Sequence, residues 1–169
     1  FRLSADQGFD WAQHSLGKMY ADGHGVDQDY EEAIKWYKLS ALKGNDRAAT
    51  NLGVMYYSGN GVEQDYEEAI KWYQLGAKKQ NPVAEHNLAV MYQQGLGVDQ
   101  DFEEVVKWMR LAAEHGYALA QYRLGTIYHA GKNVEHNNNF YYVNDFGMAH
   151  LYDQDAWTKR PVSCSEDPV

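Results

Sequence analysis

Apolar residues recur along this chain with the spacing of a helix, interrupted at regular intervals by glycine. Ala12, Leu16, Met19 and Tyr20 fall at i, i+4, i+7 and i+8, one stripe of a helix. After the glycine-containing stretch "DGHGVDQ" the pattern resumes with Tyr30, Ala33, Tyr37 and Ala41, which share the face of a second helix. The whole arrangement then returns. Leu16-Gly17 comes back as Leu52-Gly53, Leu88-Ala89 and Leu124-Gly125, and Tyr20 as Tyr56, Tyr92 and Tyr128, in an ungapped register of 36 residues. The block "GVDQDYEEAIKWYKLSA" at 25–41 is repeated nearly unchanged at 61–77 and 97–113. Each unit predicts an antiparallel helix pair too small to bury its own Tyr, Trp and Leu, so the pairs must stack on one another.

The polar positions mark where the helices start and stop. Asp29 precedes Glu32 by three, as Asp65 precedes Glu68 and Asp101 precedes Glu104, a pattern in which the Asp oxygen accepts from orphan N–H groups at a helix start. Glu31 precedes Lys35 by four, and Glu67–Lys71 and Glu103–Lys107 repeat it, which predicts ion pairs on the exposed face. Gly23, Gly59, Gly95 and Gly131 stand where the preceding helix must end in a left-handed cap. Asn133 takes the register of Gly25, Gly61 and Gly97, a substitution that a positive φ tolerates. Trp36, Trp72 and Trp108 recur at helix spacing and are assigned to the interfaces between repeats, with Met19, Met55 and Met91 in the same packing role.

These residues taken together, Leu16-Gly17, Tyr20, Gly23, Gly25-Val26, Asp29-Tyr30, Ala33, Trp36-Tyr37, Ala41 and Gly44, resemble the Sel1-like repeat, a relative of the tetratricopeptide repeat. The resemblance extends over about residues 1–137. It implies an all-α fold, a right-handed α/α superhelix of antiparallel helix pairs, that works as an adaptor or scaffold by binding a protein or peptide. Bacterial secreted and periplasmic proteins are among the family's members, and so is a component of endoplasmic-reticulum degradation. A cysteine-rich bacterial branch carries a disulfide in each repeat and is associated with penicillin binding and β-lactam hydrolysis. Cys164 is the one cysteine here, so that enzymatic association is not carried over.

The expected organisation is the end of a preceding repeat at 1–11 and three repeats at 12–47, 48–83 and 84–119. A degenerate or capping repeat with an insertion follows at 120–157, then a loose tail at 158–169. The opening "FRLSADQG" aligns with "YKLSALKG" at 37–44, so any targeting segment is expected upstream. Near the end, "NDFGMAHLY" offers Asp145-Phe146 and Ala149 at the spacing of Asp101-Phe102 and Val105, which reads as a degenerate second helix over Asn144 to Trp157.

Composition narrows the partners. The balance of 24 acidic and 15 basic side chains gives −9, which repels phosphate backbones and acidic membrane surfaces, so no nucleic-acid partner is expected. No run of apolar residues is long enough to span a bilayer, so no membrane insertion is expected either. With one cysteine there is no internal disulfide and no structural zinc site.

Constellations that look chemical have plainer readings. "DQDYEE" at 27–32 places acids as a calcium loop would, but Glu32 and Lys38 stand where that loop needs Gly and Glu. "GHGV", "GNGV" and "GLGV" end helices and never lead into a Gly-Lys-Ser/Thr. The seven histidines, His14, His24, His86, His115, His129, His136 and His150, form no compact ligand spacing. Ser163 and Cys164 lie far from an obvious base. No catalytic residue, metal site or cofactor is therefore expected.

Recognition is expected where the repeats differ. By resemblance to the tetratricopeptide arrangement, the first helix of each pair lines the concave surface. Its inward positions are His14, Lys18, Ala21 and Asp22 in the first unit, then Thr50, Val54, Tyr57 and Ser58. The next rows are His86, Val90, Gln93 and Gln94, followed by Tyr122, Thr126, His129 and Ala130. Each row shares one helical face. Tyr57 and Tyr122 are candidate aromatic anchors, and Gln93, Gln94 and Thr126 candidate hydrogen-bonding groups. A cell-envelope hydrolase or peptidoglycan and β-lactam binder is the alternative from another class. Self-association through an unpaired helix face around Leu3 and Phe9 is a third.

Overall fold

The computed structural model describes residues 2–129, 139–143 and 149–153. A short α1 (Arg2–Asp6) precedes three helix pairs: α2 (Asp10–Asp22) with α3 (Tyr30–Leu42), α4 (Asp46–Ser58) with α5 (Tyr66–Ala77), and α6 (Pro82–Gln94) with α7 (Phe102–Glu114). α8 (Ala118–His129) opens a fourth unit. Helices pack on their neighbours in sequence, within each pair and from one pair to the next, and this is the contact pattern of an α-solenoid. Among the described residues no helix is long and apolar enough to cross a membrane.

The expected helix signals work as hydrogen bonds. The Asp29, Asp65 and Asp101 carboxylates accept from the N–H of Glu32, Glu68 and Glu103, each at 2.9 Å. Gly23, Gly59 and Gly95 are left-handed and donate their N–H to Met19, Met55 and Met91 O. The expectations at Gly131 and Asn133 lie outside the described residues. The lysine pairs differ from expectation by one position. Lys35, Lys71 and Lys107 bind Glu32, Glu68 and Glu104 at i,i+3, not the acids four residues back. Both spacings reach a lysine, but Glu32, Glu68 and Glu104 are partly buried while Glu31, Glu67 and Glu103 are exposed. Water screens the less exposed acid less, so it holds the cation better.

The core is a series of small clusters, each spanning a junction between helix pairs. Leu52, Met55, Ala33 and Tyr37 form one, Leu88, Met91, Ile70 and Tyr73 the next, and Val105, Val106, Met109 and Leu124 a third. Trp72 packs against both the first and the second of these, and Trp108 against the second and third, which places both tryptophans between repeats. Polar links join the same units. Asn81 caps α6 and donates its amide to Asp46 at the start of α4, at 2.6 Å. Asn45 reaches Asp10 in the same way at 3.4 Å. Gln13 and Gln121 donate to Ala5 O and Ala113 O. In the same register Glu85, a carboxylate that cannot donate, turns to His115 Nδ1 at 2.8 Å.

Residues 149–153 do not form the expected degenerate helix. Asn139–Val143 (β1) pairs antiparallel with Ala149–Asp153 (β2), Tyr141 opposite Leu151, and the hairpin contacts α8. The aromatic and β-branched run Phe140, Tyr141, Tyr142, Val143 suits a pleated surface, and this outweighs the helix-start spacing of Asp145 and Ala149. The rest of 144–157, and the tail, lie outside the described residues.

Candidate functional site

The glycine of each Leu-Gly pair decides the geometry of the groove. A Cβ on Gly53 would lie 2.4 Å from two ring carbons of Tyr73, and one on Gly17 would lie 2.7 Å from Tyr37 Cδ1. Only a bare helix backbone lets the second-helix tyrosine lie flat across the first helix. Its ring is then buried while its hydroxyl meets the Asn51 or Asn87 amide on the next first helix. Burial pushes the Tyr37 phenol up to about 12, and the Tyr73 phenol higher still. In the third pair all three positions change together. Ala89 carries the Cβ, flexible Met109 replaces the tyrosine, and Arg123 replaces the asparagine that would have no hydroxyl to meet.

Above each Tyr–Asn floor the groove opens into a pocket. The first, about 400 Å³, lies between α2 and α4, with His14, Lys18 and Asp22 on one wall and Arg47, Thr50 and Asn51 on the other. Asn81 and Val83 close its end. The second, about 310 Å³, lies between α4 and α6, with Val54 and Tyr57 facing His86, Asn87, Val90 and Met91.

The two pockets differ in charge. Lys18 Nζ is 3.0 Å from Asp22 Oδ2. Arg47 is exposed and has no ion-pair partner among the described residues. His14 Nε2 is 3.2 Å from Asn51 Nδ2, and burial followed by the nearby Arg47 and Lys18 charges lowers its pKa, so the ring accepts from the amide as a neutral imidazole. The second pocket has no charged lining residue. His86 there is held neutral by burial against the Tyr117 ring, 4.9 Å between centroids, and its Nε2 is buried without a hydrogen-bond partner among the described residues.

The expected concave positions therefore divide. His14, Lys18, Asp22 and Thr50 line the first pocket, and Val54, Tyr57, His86 and Val90 the second. Thr50 and His86 are buried, Thr50 with its hydroxyl donating to Asp46 O. Ala21 packs against the core beside it. Ser58, Gln93, Gln94, Tyr122 and Thr126 are exposed outside both pockets, and Ser58 and Thr126 bond back to their own helices. His129 ends α8 with its side chain outside the description, as is all of Ala130. Arg47, Asn51, Val83 and Asn87 were not among the expected lining residues. The recurrence of Asn51 as Asn87, one period apart, is the signal that marks them. Among the described residues no group of His, Cys, Asp and Glu is placed to hold a metal.

Comparison with known proteins fits this geometry. The chain is similar to a protective antigen present in uropathogenic Escherichia coli strains that displays an SLR fold, at 41% identity and a TM-score of 0.73 over 77% of this chain and 28% of that one. It is also similar to a Sel1 repeat protein from Oxalobacter formigenes, at 38% identity and a TM-score of 0.71 over 76% of this chain and 52% of the other. The chain thus spans about half the length of the second relative and less of the first. Helicobacter pylori cysteine rich protein B shares the fold, with a TM-score of 0.57 at 16% identity over 69% of this chain and 92% of that one. No curated protein matches the chain. The Sel1 repeat model matches residues 12–45, 46–81, 82–117 and 118–140, and with the repeat geometry above this places the chain in the Sel1 repeat family.

Proposed function

We propose that this protein is a non-enzymatic scaffold that binds a protein or peptide partner along the groove formed by α2, α4 and α6. A protein-interaction scaffold is the typical role of Sel1 repeats. The observation that carries the finer reading is the division of labour within each repeat. Capping and packing occupy the residues that recur, and residues that vary, Lys18 and Arg47 in the first and Val54 and Val90 in the second, line two open pockets on one face. An extended polypeptide suits such a surface, because side chains spaced along it can enter successive pockets while the backbone meets exposed amides such as Gln93 and Gln94. The partition into repeats at 12–47, 48–83 and 84–119, with 120–157 closing the stack, belongs to the same reading.

Affinity capture from the native organism tests it. Tyr57→Ala should lose partners that wild type retains, while Lys71→Ala, on the outer face, should keep them. Identical partners at equal yield with Tyr57→Ala would remove the groove from the account.

A further inference from the structure

The two pockets occupy the same place in successive repeats. In the 36-residue register, Tyr37 and Asn51 of the first correspond to Tyr73 and Asn87 of the second, so both have one floor. Two groove positions then change character along the register: Lys18 of the first pocket becomes Val54 of the second, and Arg47 becomes Val83, which closes the end of the first pocket. All four are exposed, Val54 by 41% and Val83 by 38%, and none belongs to a core cluster. Exposed apolar side chains on one wall and cations on its counterpart are the mark of a surface shaped for a ligand.

We propose that the two pockets read one extended peptide, the first taking a carboxylate and the second an apolar side chain further along it. Resting as it does on the peptide-binding groove proposed above, this names the chemistry of the occupant. The chain carries −9 overall, yet Arg47 has no acid partner among the described residues and Lys18, bound once by Asp22, keeps two N–H groups to donate. Two cations against one acid leave the first pocket a net positive site, and the Asn51 amide lies on the same wall as Arg47. A guanidinium and an ammonium facing across a cleft match a carboxylate. In the second pocket Val54, Val90 and Met91 offer hydrocarbon, and Tyr57 stands against Tyr66 at 5.6 Å between ring centroids, an aromatic edge for an apolar side chain. Packed helices lie about 10 Å apart, and an extended chain in the polyproline II conformation advances about 3.1 Å per residue with about three residues per turn, so an acidic and an apolar residue about three positions apart face the groove together.

Panning a random nonapeptide library against the full chain tests this. Wild type should enrich peptides with Asp, Glu or a terminal carboxylate about three residues from an apolar side chain. Lys18→Val with Arg47→Val, which removes both cations from the first pocket, should replace the acid by an apolar residue in the consensus. Val54→Lys, which puts a cation into the second pocket, should replace the apolar residue by an acid. A synthetic peptide of the wild-type consensus should bind the valine pair at least about tenfold more weakly, as loss of two charge-assisted bonds requires. Its affinity for wild type should also fall with added salt. Lys18→Gln with Arg47→Gln, which keeps the stems, replaces the valine pair if that variant melts early. Enriched peptides lacking the acid, or one consensus shared by wild type and both exchanges, would overturn the two-pocket assignment and leave the groove standing. Failure of wild type to enrich any peptide would overturn the peptide-binding reading itself.

Discussion

Gly53 and Ala89 occupy one helix position in two repeats, and the difference between them is the ring that lies on it. A Cβ at Gly53 would gain about 1 kcal/mol of helix propensity, but it would also meet the Tyr73 ring at 2.4 Å, and that ring is 2% exposed with nowhere to retreat. Overpacking of this kind costs about 1–3 kcal/mol. Gly53→Ala is therefore expected to destabilise by about 1 kcal/mol net, and adding Tyr73→Met, the solution of the third pair, to recover part of that loss in a double-mutant cycle. Strictly additive denaturation midpoints would show that the two positions do not share a constraint. The same burial governs pH. The Tyr37 phenol is raised to about 12, so the folded state favours its protonated form and the stability tied to it is complete below pH 10 and lost as pH rises through 12. Wild type should lose stability faster than Tyr37→Phe with Tyr73→Phe between pH 10 and 12. Parallel curves in alkaline denaturation would deny the phenols this role. The recurrence of Gly17, Tyr37 and Asn51 at one period was readable in the sequence, but their convergence was not, because they come from three different helices.

At the scale of the element, the start of each second helix, α3, α5 and α7, is closed by one aspartate. Asp65 accepts from Glu68 N–H at 2.9 Å in an extended conformation, so Asp65→Ala should cost about 0.5–2 kcal/mol. Unchanged thermal melting would mean that water replaces the cap without penalty. Such caps are legible in a sequence because donor and acceptor lie within one turn. The ion pairs were less so, since i,i+3 and i,i+4 partners are both within reach and only the burial of Glu32, Glu68 and Glu104 selects between them. The hairpin of β1 and β2 was missed for a related reason. A helix-start spacing is local, whereas strand pairing between Asn139–Val143 and Ala149–Asp153 depends on two segments meeting.

For the molecule as a whole, stability resides at the junctions. Trp72 packs into the clusters on both sides of it, and its indole N–H is buried without a partner among the described residues. Trp72→Ala should cost about 3 kcal/mol and weaken two repeats at once, whereas Trp72→Phe, which removes the unpaired N–H, should cost far less. Calorimetry of the full chain distinguishes the two, and equal losses would show that the indole N–H finds a partner that matters.

The periodicity, the helix boundaries, the caps and the residues destined for the core follow from local chemistry and from side chains falling on one helical face, and these interactions are written within a few residues of each other. The groove is different. Whether Lys18 meets Arg47, whether Tyr37 reaches Asn51, and whether two walls enclose a pocket depend on how one hairpin leans on the next. That angle is set by packing between residues far apart in the chain, down to the absence of a single Cβ at Gly17 and Gly53.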